Sequence, residues 1–335
     1  MPNWAGSSWY WLRYADPKDK KEFASISKQK YWTPVDVYFG GMEHTTLHLL
    51  YSRFWNLFLF DQGLITSREP YNKRQPHGII LGPDGEKMSK SRGNVVNPQD
   101  IVASHGADTL RMFELFLGPH EDTIAWNSDS AVGVKRFLDR VWNWVSERSV
   151  PIHGRSKDAD KLVPGSDPGS VNYKDSEKVE RALNKLIKKI TEDIENFHFN
   201  TAISAFMEFH NEVKDELISR ESIKVFLKLL YPFAPHISEE LNQLVDRMRG
   251  HANRQQSLQQ GSWPTFDPAK IVDTTVEIVV QVNGKVKGKI TVPSGCDESA
   301  VKELGVNLPV VKIMLNGLQI KRVIFVPNRL INLVI

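Results

Sequence analysis

Residues 77–94 read HGIILGPDGEKMSKSRGN, a short apolar run that opens into a glycine-flanked loop. His77–Leu81 has the composition of a short buried strand, and Gly82-Pro83 is the turn signal that ends it. A phosphate site needs positive charge or amide donors on backbone free of bulky side chains. Lys87, Lys90 and Arg92, with the hydroxyls of Ser89 and Ser91, meet that need among Gly82, Gly85 and Gly93. The G-x-x-x-x-G-K-[ST] spacing of a P-loop is absent. A lysine-rich loop taken by itself reads just as well as a solvated hairpin tip, so its surroundings must decide.

Upstream, VDVYFGG (35–41) is another short apolar strand ending in glycine, and EHTTLHLLYSRFWNLFLF (43–60) reads as a long apolar-rich helix. Downstream, Asn97 and Pro98 have the residue types of an N-cap and first helical position. Strands alternating with a helix predict an α/β layer over 1–126, with parallel strands and ligand loops at their carboxyl ends. Over 127–248 the period becomes helical. Val134, Phe137, Leu138, Val141 and Val145 form one stripe, and Val179, Ala182, Leu183, Leu186, Ile187, Ile190 and Ile194 another, which predicts a helical bundle. Within it, 151–172 is a polar Gly/Pro/Ser loop. Residues 249–273 begin with the low-complexity run RGHANRQQSLQQGS (249–262) and read as a linker. Residues 274–335 form a separate small α/β domain, whose valine-rich strands flank Asn283-Gly284, a strong hairpin turn signal.

Composition sets few limits. A formal charge of +3 permits a polyanionic partner without requiring one. The lone Cys296 excludes an internal disulfide framework and a cysteine-rich zinc module. No apolar stretch is long enough to span a membrane and no signal peptide is evident, so a cytoplasmic location is expected.

The string KMSKSRGN (87–94) after a short strand resembles the signature loop of class I aminoacyl-tRNA synthetases. GSSWYWLRYADP (6–17), PVDVYFGGMEH (34–44), HLLYSRFW (48–55), GADTLR (106–111) and YPFAPHISEEL (231–241) are similar to the leucyl-tRNA synthetase family. VQVNGKVKGKI (280–290) and VIFVPNRLINLVI (323–335) resemble the C-terminal domain of its bacterial-type members. The resemblance implies that 1–126 is the second half of a Rossmann-like catalytic domain, followed by a tRNA-stem bundle and a tRNA-contacting C-terminal module.

It also implies a reaction. Leucine and ATP, the latter as its Mg2+ complex, give leucyl adenylate and pyrophosphate, and the leucyl group then passes to tRNA(Leu). No tightly bound cofactor or structural metal is expected. Lys90 would contact the ATP phosphates and Lys87 would support the transition state, with Met88, Ser89 and Ser91 lining the nucleotide. Gly40 and Gly41 would allow close approach of the nucleotide. Glu43 would accept from ribose hydroxyls, although by itself it reads equally as an acid favouring a helix N-terminus. His77 would lie near the adenine, or be an ordinary strand-end histidine. Ser8, Trp11 and His44 would wall the leucine pocket; relatives commonly carry tyrosine at position 11. His44 and His48 are also spaced as a metal pair on one helical face, but no third ligand is evident. Lys285, Lys287 and Lys289 of the hairpin are the favoured tRNA phosphate contacts, ahead of Lys188 and Lys189.

The family's H-I-G-H-like tetrapeptide belongs upstream of this material, and His44, His48 and His77 do not stand in that setting. The first half of the nucleotide fold and the editing domain are likewise not recognisable. The expectation is a partial synthetase that needs a separate or missing N-terminal half, with apolar surface such as helix 43–60 left exposed. The alternative is a non-catalytic tRNA-binding remnant or accessory protein.

Overall fold

In the computed structural model, which describes residues 4–149, 174–247, 257–272, 275–316 and 318–335, the strand read at 35–41 forms as β1 (Val35–Gly41). Helices α1 (Tyr10–Ala15) and α2 (Ile26–Trp32) precede it. The chain divides into two units, Met1–Thr265 and Phe266–Ile335.

The helix expected over 43–60 is broken. Met42–Thr45 is a 3-10 turn, and α3 runs only over His48–Asp61, after Leu47 leaves helical geometry at φ −114°, ψ −101°. Its polarity is inverted for a core helix. His48, Ser52 and Asn56 are the buried residues, four apart, while Leu47 (41%), Leu50 (65%), Phe54 (67%) and Phe58 (50%) are exposed. The inward polar stripe is satisfied locally. Tyr71 donates to Ser52 at 3.0 Å, and the Asn56 amide donates to the carbonyls of Ser67 at 3.0 Å and Arg68 at 2.8 Å. Covering each outward apolar side chain would contribute about 1.5–3 kcal/mol.

After α3 comes β2 (Tyr71–His77), a strand absent from the sequence reading because YNKRQPH has neither alternation nor an apolar run. It pairs in parallel with β1, and the register sets Gly40 beside Pro76 and Gly41 beside His77. The strand expected at 77–81 shrinks to β3 (Ile80–Leu81), paired in parallel with β4 (Ile124–Ala125). Between these lie α4 (Pro98–His105) and α5 (Ala107–Phe116), and Asn97 caps α4 as read, accepting from the Gln99 N–H at 3.1 Å.

The bundle consists of α6 (Ser128–Ser149), α7 (Glu177–Glu195), α8 (Phe199–Val213), α9 (Arg220–Leu230) and α10 (Pro235–Arg247). Both predicted stripes face its core, with Ile194 at the margin. Asp108, Arg111 and Phe197 tie it to the α/β part. The buried Asp108 carboxylate of α5 caps α10, accepting from Ile237 N–H at 2.7 Å and pairing with His236 Nδ1 at 2.7 Å. Arg111 donates to the carbonyls of Pro232 at 2.9 Å and Phe233 at 3.4 Å. Phe197, in the α7–α8 turn, is left-handed at φ 60°. That conformation costs a non-glycine residue about 1–2 kcal/mol. Ring contacts with Phe39, His120 and Phe199, each contributing about 0.5–1.5 kcal/mol, are large enough to hold it.

The loop read at 151–172 and residues 249–256 of the linker lie outside the described residues. Part of the remaining linker packs on the bundle: the Trp263 indole donates to Thr191 at 2.9 Å, and Lys228 donates to the carbonyl of Gly261 at 2.6 Å.

In the second unit four strands lie in the order β6-β5-β8-β7: β5 (Thr275–Val282), β6 (Lys285–Pro293), β7 (Arg322–Val326) and β8 (Leu330–Val334). β5 and β6 are antiparallel through Asn283-Gly284, at φ 49° and 78°. Helices α11 (Glu298–Val306) and α12 (Pro309–Leu315) complete its core through Val301 and Val311, against Ile278, Val280, Ile331 and Leu333.

Removing the α10 cap tests the junction. Asp108→Ala should destabilise the helical unit by about 2 kcal/mol, read as a lower thermal midpoint by circular dichroism, with Asp108→Asn costing less.

Candidate functional site

The parallel register does most of the assembly. Gly41 and His77, remote in sequence, are neighbours at the carboxyl ends of β1 and β2. A Cβ at Gly41 would meet only the carboxylate end of the exposed Glu43 side chain, which can swing away. Gly78 is the constrained one, because a Cβ there would strike the backbone carbonyl of Asp122. Glu43 and His77 are both exposed at this edge, and His77 Nδ1 faces the Gly78 carbonyl at 2.7 Å.

The lysine loop follows β3, whose pairing with β4 forms a second two-stranded sheet. A lone antiparallel bridge joins Leu81 to Lys87, and Gly82 N–H donates to the Glu86 carbonyl at 2.8 Å. Asn94 closes the loop from inside: its Oδ1 accepts from Ser89 N–H at 2.9 Å, and its amide donates to Asp84 at 3.0 Å and to the Lys87 carbonyl at 3.3 Å. The Asn94 donor, helped by the Glu86 N–H, holds the Asp84 carboxyl below the usual carboxylate range. Arg92 is not available as a third phosphate ligand in this arrangement, because it pairs with Glu86 at 2.9 Å. Lys87 and Lys90 are exposed and, among the described residues, make no ion pair. Ser89 and Ser91 hydroxyls lie 3.2 Å apart, beside the partly buried Met88. The loop is therefore a preformed cup whose two free cations are those of the sequence reading.

Two of the three candidates for the amino-acid pocket, Trp11 and His44, stand against His48, which the sequence reading considered only as one of a metal pair. His48 is buried. Its Nε2 meets the Ser7 carbonyl at 2.7 Å and its Nδ1 the Tyr38 hydroxyl at 3.0 Å. A carbonyl can only accept, so the hydrogen-bond network assigns the proton to Nε2 and makes Nδ1 the acceptor. Burial, the largest influence, pushes the His48 pKa down and keeps the ring neutral. Both nitrogens are thus used, which argues against a metal pair with His44, whose ring stands perpendicular at 6.4 Å. Trp11 meets His48 edge-on at 6.3 Å and Tyr71 at 5.5 Å, while Tyr38 stacks on His48 at 5.5 Å. Trp11 Nε1 and His44 Nδ1 are buried and, among the described residues, make no hydrogen bond. The Ser8 hydroxyl is occupied by the Trp4 carbonyl at 2.7 Å. Tyr38 could have been found in the sequence, because it stands two residues before Gly40 on the same strand.

In the second unit Lys285, Lys287 and Lys289 lie on β6, but a bulge leaves Lys287 without a β5 partner and sets Lys285 opposite Val282 and Lys289 opposite Val279, on different faces. Lys289 is partly committed, pairing with Glu277 at 2.8 Å; Lys285 is exposed and Lys287 half-buried. In the bundle, Lys188 and Lys189 both pair with acids one turn on, Glu192 at 3.8 Å and Asp193 at 2.7 Å.

Residues 19–127 match the family described as tRNA synthetases class I (I, L, M and V), and residues 177–302 match the anticodon-binding domain of tRNA ligase. The chain is similar to the agnB2 LeuRS of Agrobacterium radiobacter K84, solved as a ternary complex with tRNA and LeuAMS: 34% identity, TM-score 0.70, covering 98% of this chain and 41% of that one. Two structures of Mycobacterium tuberculosis methionyl-tRNA synthetase with methionyl-adenylate share the fold at 17% identity and TM-scores of 0.52 and 0.51, each covering 71% of this chain and 48% of theirs. This chain belongs to the class I tRNA synthetases, and it spans about two fifths of the length of the LeuRS it matches.

The neutral His48 makes a pH prediction. A histidine whose folded pKa lies below the ordinary 6.5 contributes stability that is complete above 6.5 and is lost as pH falls from there. The half-buried His120, also pushed down chiefly by burial, acts in the same direction. The unfolding midpoint should drop between pH 7 and 5, and His48→Gln should flatten that slope while destabilising at pH 7 by about 1–3 kcal/mol.

Proposed function

We propose that this chain carries the second half of the amino-acid-activating site of a leucyl-tRNA synthetase. The observation that carries the proposal is that the one α/β region, residues 4–126, holds three parts such a site requires. These are glycine-lined strand ends, a preformed loop with two uncommitted lysines, and an aromatic pocket centred on His48. Similarity to a LeuRS along nearly the whole chain supports leucine as the amino acid.

In this reading ATP, entering with Mg2+, lies across Gly40, Gly41 and His77, and Glu43 accepts from its ribose hydroxyls. Leucine sits among Ser8, Trp11 and His44, with Tyr38 and His48 shaping the wall. The leucine carboxylate attacks the α-phosphorus, and pyrophosphate leaves. No protein nucleophile is needed, because positioning and charge stabilisation supply the catalysis. Lys90 holds the departing phosphates and Lys87 neutralises charge as it develops. The terminal ribose hydroxyl of tRNA(Leu) then attacks the adenylate carbonyl and AMP leaves. The helical bundle and the β6 lysines hold the tRNA, and the setting is cytoplasmic translation.

The exposed face of α3 supports a partner that supplies the rest of the nucleotide fold, including the H-I-G-H-like tetrapeptide. Parallel sheets are normally covered on both faces, yet among the described residues β1 pairs with β2 alone. Leu50, Phe54 and Phe58 form the apolar stripe that such a partner would bury.

Leucine-dependent ATP–pyrophosphate exchange tests the reading, with the chain alone and mixed with a polypeptide supplying the N-terminal half. Exchange by the mixture is expected; a mixture that forms a complex and binds tRNA but stays silent would refute it. Lys90→Ala should slow exchange roughly 100-fold or more and leave tRNA affinity nearly intact, whereas equal loss of both would remove its assigned role. Phe54→Asp, at an exposed position, should abolish complex formation with the circular dichroism spectrum unchanged.

A further inference from the structure

The aromatic packing of the bundle continues beyond its core. Phe226 and Phe206 stand edge-to-face at 5.8 Å, Phe206 and Phe233 at 5.5 Å, Phe233 and Phe199 at 6.5 Å, and Phe199 and Phe197 at 5.7 Å. At Phe197 the series divides. Its ring meets Phe39 of β1 at 5.4 Å and stacks on His120 at 5.9 Å, while Lys73 of β2 places its Nζ 5.0 Å above the same ring. Phe39 immediately precedes Gly40-Gly41. His120 lies 6.3 Å from the ring of His77, and its carbonyl accepts from Gly78 N–H at 3.0 Å. One side chain in a bundle turn therefore touches both strands of the sheet and the segment leading into β4, next to each candidate nucleotide contact on the strand ends.

Two features of this junction have no role in the bundle alone. Phe197 holds a left-handed backbone that a bulky residue seldom adopts unless its surroundings over-determine it, and such residues cluster at functional sites. His120 Nε2 is buried and makes no hydrogen bond among the described residues, so this ring contributes its faces rather than that nitrogen. Phe206, Phe226 and Phe233 are buried and close-packed, so they pass a displacement on, whereas Phe39 is half exposed and joins the series through its ring contact with Phe197.

We propose that Phe197 is a positioning residue that couples the tRNA-binding bundle to the nucleotide-binding ends of β1 and β2. The inference rests on the assignment of those ends to ATP and of the bundle to tRNA. A shift of the α7–α8 turn when tRNA seats on the bundle reaches Gly40 through Phe39, and His77 through His120.

Glycine is at ease at this φ, so Phe197→Gly removes the ring without straining the turn, and Phe197→Tyr retains it. Hydrogen exchange on the full chain is the direct test. The Gly78 amide, which donates to the His120 carbonyl, should exchange about tenfold faster or more in the Gly variant than in the unaltered and Tyr proteins, with α9 amides unchanged. Unchanged Gly78 exchange overturns the proposal, and so does acceleration spread evenly through the bundle, which marks a merely structural residue. In the assembled enzyme the Gly variant should raise KM for ATP about tenfold and leave KM for leucine and tRNA affinity unaltered. An unaltered KM for ATP overturns the coupling. If the unaltered assembly itself shows no exchange, the functional assignment fails, and the Gly78 result still decides whether the ring positions the strand end.

Discussion

Parallel pairing of β1 with β2 is the constraint on which the candidate site depends. It puts Gly41 beside His77 and turns the carboxyl ends of both strands to one edge. Parallel strands need a crossover, and α3 provides it. The crossover in turn carries His48 under β1, where its imidazole meets the Tyr38 hydroxyl. A change in register would part Gly41 from His77. Nothing local to the loop could restore that geometry, because its internal bonds through Asn94 and Glu86–Arg92 fix only its own shape.

The crossover helix also shows how one element serves two boundaries. Its inward face is polar and specific: a neutral histidine, a serine and an asparagine, each bonded to a neighbouring segment. Its outward face is apolar and unsatisfied by the described residues. In an isolated globular domain this pattern would be reversed, since apolar burial is the main stabilising contribution and exposed polar groups cost nothing. The inversion makes sense when the helix is interior to a larger assembly. The outward stripe then supplies the adhesion and the inward stripe the shape of the pocket.

The bundle has a different economy. Its core is mainly aromatic and aliphatic, with Asp193, His210, Ser238 and Asn242 buried among it, and the contacts that tie it to the α/β part sit at helix ends and turns: Asp108 at the start of α10, Arg111 on the carbonyls just before it, and Phe197 between α7 and α8. Helix ends carry unpaired backbone groups, so a carboxylate or guanidinium from a neighbouring element finds ready partners there. That is why GADTLR (106–111) and YPFAPHISEEL (231–241), far apart in sequence, belong to one junction.

The sequence by itself determined the periodic and the punctuated elements. The helical stripes of α6 and α7, the Asn97 cap, the Asn283-Gly284 hairpin and the glycine-flanked lysines all express local rules that act within a few residues. Tertiary structure alone decided the rest. β2 has no alternating pattern, because its environment is set by β1 and not by its own residues. The break at Leu47 and the inverted α3 contradict the simple expectation that an apolar run packs inward. His48 became the centre of the pocket, and Arg92 was withdrawn from the loop's charge, through partners that no local spacing announces. Local propensity acts along the chain, whereas burial and pairing are properties of what another segment brings into contact.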